Sequence, residues 1–577
     1  MPSRTGSVHV ATTSRTYKGR LYQTHLLRRT FRVGAQVKHE TLGNISHLPP
    51  DLVELIRRAL AGEKFLPATQ AFVVQRNLPH GHVQAVLGTM RRLGLDSLLA
   101  SQPSRQRDLA LAMIVERVLD PCSKLATTRL WHTSTLAEEL KVAEATEDDL
   151  YQAMDWLLAR QAHVEKKLAA RHLGDGALVL YDVSSSYYEG HTCPLARFGH
   201  DRDGQRGLPI IVYGLLTDAE GRPVAVHVYP GNTGDPTTVP DQVEKLRQRF
   251  GLARVVLVGD RGMLTDTQIG KLGEHPGLGW ISALRGPAIR ALVESGSLQL
   301  SLFDEQNLAE IRSPEYPGER LVACFNPLLA EERCRKRQEL IETTEKDLGK
   351  IAAEVKRRTR TPLGEAEIAL KAGRVLNRFK VGKHFSLTIA EGVFAWSRRE
   401  ESIRREAELD GVYVVRTSEP KSRCSAQDTV RRYKSLAQVE RAFRSLKGID
   451  LRIRPIHHRT EDHVRAHIFL CMLAYYVEWH MRRALAPLLF DDEELRQDRA
   501  RRHPVVPAES SASAQAKKIS RLTADGLPVQ SFHTLLRNLA TRCRNTCRIP
   551  SDTSGAAFRQ LTEATPLQAR ALQLLDL

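Results

Sequence analysis

The amino-acid sequence predicts an α/β protein in which a mixed β-sheet is flanked by helices. Residues 177–181, 208–217 and 222–229 are apolar, strand-like runs, and a turn at 218–221 joins the second run to the third. A loop and a helix-like segment then lead to a fourth apolar run at 253–258. Three strands in a meander, a helix and a further strand describe the first half of a ribonuclease-H-like fold.

The chain has 577 residues, which is enough for several domains. Apolar residues recur at helical spacing in 103–118 and 147–168. We interpret these segments as packing helices, with a helix-turn-helix as the alternative. The predicted parts are a basic N-terminal arm or small module at 1–50, a helical N-terminal region at 51–173, the core at 174–280 and 431–482, an insertion with strands and a long basic helix at 281–430, and a linker with a helical tail at 483–577.

Basic residues outnumber acidic ones, 85 to 67, which gives a formal net charge of +18. This balance is typical of a protein whose partner is a polyanion such as nucleic acid. In residues 1–40, cations from Arg4 to Lys38 are interleaved with aromatic residues, and Glu40 is the one acidic residue. We interpret this segment as following a phosphate backbone, with a flexible solvated terminus as the alternative.

The cysteines and the hydropathy pattern predict an intracellular, cytoplasmic protein. Eight cysteines are scattered along the chain without the paired spacing of a structural zinc site, and we expect them to be thiols. The N-terminus lacks the apolar core of a signal peptide. The longest apolar run, 468–477, is too short to span a bilayer, so no membrane partner is expected.

Three acidic residues stand where they can converge. Asp182 follows the first predicted strand, Asp260 follows the fourth, and Glu440 lies on a helix after the insertion. Carboxylates suit Mg²⁺, and two such ions assist in-line displacement at phosphorus. Each residue alone also fits a simpler role: a turn at the end of a strand for the two aspartates, and an ion pair with Arg444 for Glu440. Together with the basic charge, they predict a metal site.

The segment that carries Glu440 is predicted to be one amphipathic helix from 433 to 447. At about 100° per residue, five side chains fall within roughly 80° of one another. These are Tyr433, Leu436, Glu440, Arg444 and Lys447. The adjoining stripe of Val439, Phe443 and Leu446 is apolar and is expected to hold the helix against a core.

Four sequence blocks carry a family resemblance. They are YDVSSSYYEG around Asp182, GNTGDPTTV at 231–239, VVLVGDRGMLT around Asp260, and the block from VERAFRSLKG to HIFLCMLAYY that contains Glu440. Over roughly residues 100–480 the chain resembles bacterial insertion-sequence transposases of the DDE type, in the branch with a Tyr-x2-Arg-x3-Glu-x6-Lys signature. Tyr433, Glu440 and Lys447 match that signature, whereas Leu436 stands at its Arg position.

The resemblance implies a specific chemistry for these residues. Asp182, Asp260 and Glu440 would bind two Mg²⁺ ions, for which Mn²⁺ substitutes. Tyr433 and Lys447 would hold DNA phosphates. Because Leu436 cannot bind a phosphate as the arginine of the signature would, Arg441 or Arg444 would do so in its place.

The resemblance also implies partners and a location. Water would cut the element ends, and the freed 3′-hydroxyls would attack target DNA. The partners are double-stranded terminal inverted repeats, for which 51–173 is a candidate binding region, target DNA, and further copies of the chain in a homodimer or higher assembly. The active protein would be associated with the bacterial nucleoid.

Two other functions remain open at this stage. One is a ribonuclease-H-like nuclease or resolvase that cuts DNA without joining it, against which the large insertion argues. The other is a non-catalytic DNA-binding protein derived from a transposase. The presence of all three carboxylates, Asp182, Asp260 and Glu440, argues against that second alternative.

Overall fold

The computed structural model describes residues 6–65, 72–304, 306–505, 509–549 and 556–577. Arg4 lies outside the described residues. The chain forms two compact units, which are described separately. The first comprises Met1–Asn77 and Arg544–Thr562, and the second comprises Leu78–Cys543 and Glu563–Leu577.

The basic N-terminal segment is a folded sheet, where the sequence left an arm, a small module or a flexible terminus open. Strands β1, β2 and β3 form an antiparallel sheet in that order. A fourth strand, β4, belongs to a separate three-stranded sheet with Cys543–Arg548 and Ala557–Leu561. The elements are β1 (Ser7–Tyr17), β2 (Arg20–Val33), β3 (Gln36–Asn44), α1 (Pro50–Leu60) and β4 (Val73–Pro79). The region 51–173 therefore contains a strand, and the C-terminal tail is not wholly helical.

A group of helices precedes the main sheet. Ser104 caps α4 by accepting a hydrogen bond from the backbone N–H of Arg107, and the apolar face of α4 is buried. The segment predicted at 147–168 is divided into two helices. The helices are α2 (Gly81–Arg92), α3 (Leu95–Leu99), α4 (Arg105–Leu119), α5 (Lys124–Leu130), α6 (Leu136–Glu139), α7 (Glu147–Leu158) and α8 (Gln161–His172).

The predicted mixed sheet flanked by helices is confirmed. A meander of three antiparallel strands comes first, and β8 returns parallel to β5 with β9 parallel beside it. The order β7-β6-β5-β8-β9 is that of the predicted ribonuclease-H-like core. The elements are β5 (Ala177–Tyr187), β6 (Ile210–Asp218), β7 (Pro223–Pro230), α9 (Val239–Glu244), β8 (Val255–Val258), α10 (Asp266–Gly273) and β9 (Leu278–Ala283).

The boundaries predicted for the insertion were wrong. Three strands from 281–430 extend the main sheet to eight strands, in the order β10-β11-β14-β9-β8-β5-β6-β7. Backbone pairing of β14 with both β9 and β11 ties these strands to the core. The elements are α11 (Gly286–Glu294), β10 (Leu308–Ile311), β11 (Arg320–Phe325), α12 (Pro327–Arg357), α13 (Glu365–Phe379), β12 (Phe385–Ala390), β13 (Val393–Arg398), α14 (Glu400–Ala407) and β14 (Val412–Thr417).

The segment that leaves the sheet is the shorter stretch between β11 and β14. It contains the long helix α12, which the sequence predicted at 328–358, and a hairpin of β12 and β13. Ile341, Leu348 and Phe385 belong to a separate apolar core of this stretch. We call residues 327–410 the excursion.

The remaining helices surround and complete the core. Helix α17 is almost entirely buried, because apolar residues occupy most of its faces. Within the predicted linker and tail at 483–577, Ser511 caps helix α19, and Lys517 is buried there with its amine donating to backbone carbonyls. The helices are α15 (Ala426–Lys434), α16 (Ala437–Lys447), α17 (Glu461–Leu485), α18 (Leu495–Arg501), α19 (Ala512–Ser520), α20 (Phe532–Ala540) and α21 (Pro566–Leu574).

Two global features bear on the cellular setting. All eight cysteines lie among the described residues and none forms a disulfide, as the sequence predicted. In the described part of the chain, no helix is long and apolar enough to cross a membrane.

The excursion should be removable without unfolding the sheet. Phe325 and Val412 are paired across antiparallel β11 and β14, and Asn326 N–H donates to Gly411 O at 2.9 Å. Replacing residues 327–410 by an Asn-Gly turn should therefore close a hairpin. Circular dichroism and thermal unfolding should show a cooperative transition. A molten chain, or one that is insoluble where the intact protein is soluble, would show instead that the excursion is integral to the core.

Candidate active site

Two parallel strands bring Asp182 and Asp260 together. The pairing of β5 with β8 ends at Leu180 opposite Val258, and each aspartate lies two residues beyond that pair. The carboxyl ends of neighbouring parallel strands meet at one edge, so the two side chains are neighbours. The sequence predicted that Asp182 follows the end of the first strand. In the structure it lies within β5, which continues to Tyr187 in its pairing with β6.

Helix α16 lies over the face of the sheet that carries Asp182. Side chains alternate along a strand, so Asp182, Ser184 and Ser186 share a face. Tyr213 stands opposite Ser184 on that face, and its hydroxyl is 2.8 Å from the Ser186 hydroxyl. The Phe443 ring of α16 packs against Tyr213, with ring centroids 5.8 Å apart. Glu440 lies one turn earlier on the same helix, so α16 presents it from above the Asp182 face.

The electrostatics show that the three carboxylates act on one another. The pKa of Asp182 is raised to about 7, first by burial and then by the negative charges of Asp260 and Glu440. Asp260 and Glu440 are exposed, whereas Asp182 is half-buried. Burial also raises the pKa of Tyr433, and the charge of Asp260 raises it further. Tyr433 therefore faces the same acidic cluster.

The donor set fits a divalent cation. Carboxylate oxygens are the ligands that Mg²⁺ prefers, and a cation would relieve the repulsion that raises the Asp182 pKa. Among the described residues, no three His, Cys, Asp or Glu side chains are arranged to hold a metal ion as they stand. Asp182, Asp260 and Glu440 would therefore have to draw closer around one.

The predicted helix from 433 to 447 is two helices. Helix α15 ends at Lys434 and α16 begins at Ala437, so Tyr433 and Glu440 do not share one continuous stripe. The hydroxyl of Ser435 donates to the Arg432 carbonyl at the junction, which competes with the regular helical pattern. Leu436 immediately precedes α16 and is buried in the core, which explains why an apolar side chain suits this position.

The cations of α16 fall into two groups. Arg441 and Arg444 are exposed, and in the described structure Arg444 forms no ion pair with Glu440 within 4 Å. Lys447 is largely enclosed: its amine donates to Asp203 Oδ1 at 2.8 Å, and burial lowers its pKa. Lys447 is thus held by a carboxylate, whereas the two arginines remain open to solvent.

Neither Asp203 nor its second partner, Arg454, was predicted from the sequence. The Asp203 side chain is 1% exposed, accepts from Tyr187 N–H, and pairs with Arg454 as well as Lys447. Arg202 next to it pairs with Asp235. The charged residues concentrated between Asp201 and Arg206 could have indicated a functional loop. The residues that pair with Asp203, however, lie far along the chain and could not be predicted from this loop.

Leu436→Arg, which restores the branch signature, should destabilise the protein. The variant places a guanidinium at a position where Leu436 is only 8% exposed. Loss of apolar packing and burial of a charge should together lower the free energy of unfolding by about 2–4 kcal/mol. Urea denaturation measures the loss, and Leu436→Met, which conserves volume, should cost under ~1.5 kcal/mol. An Arg variant as stable as the parent would show that this side chain reaches solvent.

Binding of Mn²⁺ should weaken as the pH falls below about 7. The raised pKa of Asp182 leaves its carboxyl protonated below that pH, and a ligand must lose its proton to bind a metal. Affinity measured by electron paramagnetic resonance should fall by about fivefold between pH 7 and 6, and by about tenfold per pH unit below that, when one proton is displaced. Asp182→Asn should bind weakly at both pH values. An affinity independent of pH in the parent protein would contradict this role.

Two comparisons bear on identity. Residues 199–477 match the family described as the transposase DDE domain. That range includes Asp260 and Glu440 but begins after Asp182. No curated protein matches the chain.

A cryo-EM structure of a piggyBac transposase synaptic complex with hairpin DNA is similar over 80% of this chain and 76% of that chain. The sequences are 10% identical and the TM-score is 0.32. The family match over 199–477 covers just under half of the chain and includes most of the strands of the main sheet.

Proposed function

We propose that this protein is a DNA transposase that cleaves the ends of an insertion sequence and transfers the 3′-hydroxyl ends into target DNA. The observation that carries the proposal is that the β5–β8 pairing places Asp182 and Asp260 at one edge of the sheet, on which the helix of Glu440 packs. It indicates that carboxylates from two strands and one helix are near one another. The family match and the net charge of +18 support the same reading.

Asp182, Asp260 and Glu440 would hold Mg²⁺, with Mn²⁺ as a substitute and two ions as the expected number. Such ions supply Lewis acidity and stabilise the attacking and leaving oxygens of a displacement at phosphorus. Asp182 must give up its proton for this role, which its pKa of about 7 allows at neutral pH. The exposed carboxylates of Asp260 and Glu440 leave the cluster open to a DNA phosphate.

Cations on the helix of Glu440 would hold the DNA backbone. Arg444 lies one turn beyond Glu440 and Arg441 lies beside it, both exposed and able to contact phosphates. Tyr433 faces Asp260 from α15 and would orient a phosphate or a water molecule near that carboxylate. Lys447 would contact a phosphate only by exchanging or sharing its bond to Asp203.

The signature residues Tyr433, Glu440 and Lys447 favour the bacterial insertion-sequence branch, with Leu436 as its departure. The proposed partners are terminal inverted repeats, target DNA and further copies of the chain in a homodimer or larger assembly. The proposed location is the cytoplasm, at the nucleoid when active.

A nuclease that cuts without joining would use the same carboxylates. Incubation of the protein with Mg²⁺ and duplexes ending in the flanking inverted repeats distinguishes the two activities. The transposase proposal expects end cleavage followed by joined products on a target plasmid. Cleaved ends without joined products would reject strand transfer and favour the nuclease. DNA binding without any cleavage would favour the non-catalytic alternative.

Asp260→Asn should separate binding from chemistry. The amide keeps the shape of the side chain but removes the charge that a metal ligand needs. The rate of end cleavage should therefore fall by at least about 10³-fold, which corresponds to about 4 kcal/mol in activation free energy. Binding of end DNA, measured by fluorescence anisotropy, should stay within about twofold of the parent. Asp148→Asn, an exposed carboxylate at the start of α7, is the matched control and should cleave normally. Equal loss of binding and cleavage in the Asp260 variant would count against metal ligation.

A further inference from the structure

The first two strands of the N-terminal unit extend beyond the sheet to which they belong. Strands β1 and β2 are paired from Ser7 opposite Thr30 up to Tyr17 opposite Arg20. The third strand pairs with β2 only from Leu26 to Val33. Residues 13–24 therefore form a two-stranded ribbon with no third strand beside it. We call these residues the ribbon.

The ribbon has no core of its own. Its residues from 13 to 23 are all exposed, and Tyr17, Leu21 and Tyr22 are 55%, 64% and 54% exposed. A two-stranded hairpin without a packed face is only marginally stable in water. Exposed aromatic side chains in such a setting are typical of a surface that binds a partner.

The turn at the tip gives the ribbon a defined shape. Lys18 and Gly19 both have positive φ, 50° and 74°, as a two-residue type I′ turn requires. This turn matches the right-handed twist of the flanking strands. The amine of Lys18 lies 5.6 Å from the centroid of the Tyr17 ring. The tip is therefore a compact hairpin end that presents a cation.

The two faces of the ribbon differ in chemistry. Residues opposite each other share a face, and Arg15 is opposite Tyr22 while Tyr17 is opposite Arg20. One face thus alternates guanidinium and phenol groups. The other face presents uncharged side chains, with Ser14 opposite Gln23 and Thr16 opposite Leu21.

The charge of the ribbon is uniform. From residue 7 to residue 33 the sequence contains six Lys or Arg and no Asp or Glu. In the described structure, Arg15, Lys18 and Arg20 form no ion pair. Three neighbouring cations without counter-charges predict an anionic partner.

We propose that the ribbon is a DNA-reading element that lies in the major groove of double-stranded DNA. This proposal rests on the proposed function, which supplies DNA as the partner. It adds that the ribbon is the part of the chain that contacts the DNA. The major groove, about 12 Å wide, admits a two-stranded β-ribbon. Arg15, Lys18 and Arg20 neutralise phosphates at the groove edges. Ser14 and Gln23 are the hydrogen-bonding groups available for base edges.

Double-stranded DNA fits these observations better than the other anionic partners. Single strands are bound through aromatic side chains on which successive bases stack, in a basic groove. The ribbon is instead a protrusion, and its aromatic residues alternate with arginines. A narrow, twisted, basic protrusion complements a groove, and its polar face is suited to distinguish base pairs.

The triple variant Arg15→Ala, Lys18→Ala, Arg20→Ala tests the proposal in the full-length protein. Loss of three phosphate contacts should reduce the slope of log K against log salt by about 2.7 for duplex DNA. Fluorescence anisotropy with a 30-bp duplex and a 30-nucleotide single strand, over a range of salt concentrations, measures this slope. The control removes three exposed cations from the other unit, Lys166, Lys271 and Lys346, and should leave the slope unchanged.

Further variants guard against misfolding and test base contacts. Arg20→Gln alone should reduce the slope by about 1 and keep the circular dichroism spectrum of the parent. Ser14→Ala with Gln23→Ala should narrow the difference in affinity between duplexes of different sequence, because these groups contact bases rather than phosphates.

The outcomes show whether the ribbon proposal fails alone or together with the proposed function. If the triple variant binds duplex DNA with the slope of the parent, the ribbon proposal is overturned and the proposed function stands. If the triple variant loses single-strand binding more than duplex binding, the major-groove assignment is overturned. If the parent protein binds no DNA, both proposals fail.

Discussion

The candidate site depends on one backbone constraint, the parallel pairing of β5 with β8. Strand β8 has only four residues, and all four are buried between β5 and β9. Its register, Leu180 opposite Val258, sets the positions of Asp182 and Asp260 at the same edge. A shift of one residue would turn every side chain of the strand to the opposite face and would move Asp260 out of step with Asp182. The same sheet supplies the surface on which Phe443 anchors the helix of Glu440.

The charged side chains near the site form two clusters, one acidic and one with a net positive charge. The negative charges of Asp260 and Glu440 oppose ionisation of Asp182, and a divalent cation bound among the three carboxylates would favour it. Farther along α16, Asp203 joins Lys447 to Arg454 in an enclosed cluster. One carboxylate with two cations leaves a net positive charge there. The geometry thus combines an acidic cluster that favours a divalent cation with a fixed positive charge that favours an anionic partner.

Local sequence patterns predicted what depends on local interactions. Alternation of apolar runs and turns located the meander and β8, and with them Asp182 and Asp260. The third carboxylate, Glu440, was predicted only in combination with the two aspartates and the basic charge, since a lone amphipathic helix with an acidic residue is common; the family resemblance then added its spacing to Tyr433 and Lys447. Leu436 marked a departure from the signature, but only its burial explains why an apolar residue suits that position.

Long-range pairing could not be predicted in the same way. Strands β10, β11 and β14 join the main sheet through pairings that cross the excursion, so 281–430 was taken as a single insertion. Strand β4 shares a sheet with Cys543–Arg548, hundreds of residues away in sequence. The partners of Asp203 lie about 240 residues beyond it.

The central claim is that Asp182, Asp260 and Glu440 jointly bind divalent cations. Anomalous diffraction from crystals soaked in MnCl₂ at pH 8 tests it most directly. The account predicts Mn²⁺ within about 2.0–2.3 Å of carboxylate oxygens from all three residues, with a second ion about 3.5–4 Å away when DNA is bound. Anomalous peaks elsewhere, or none near Asp182, would contradict the account.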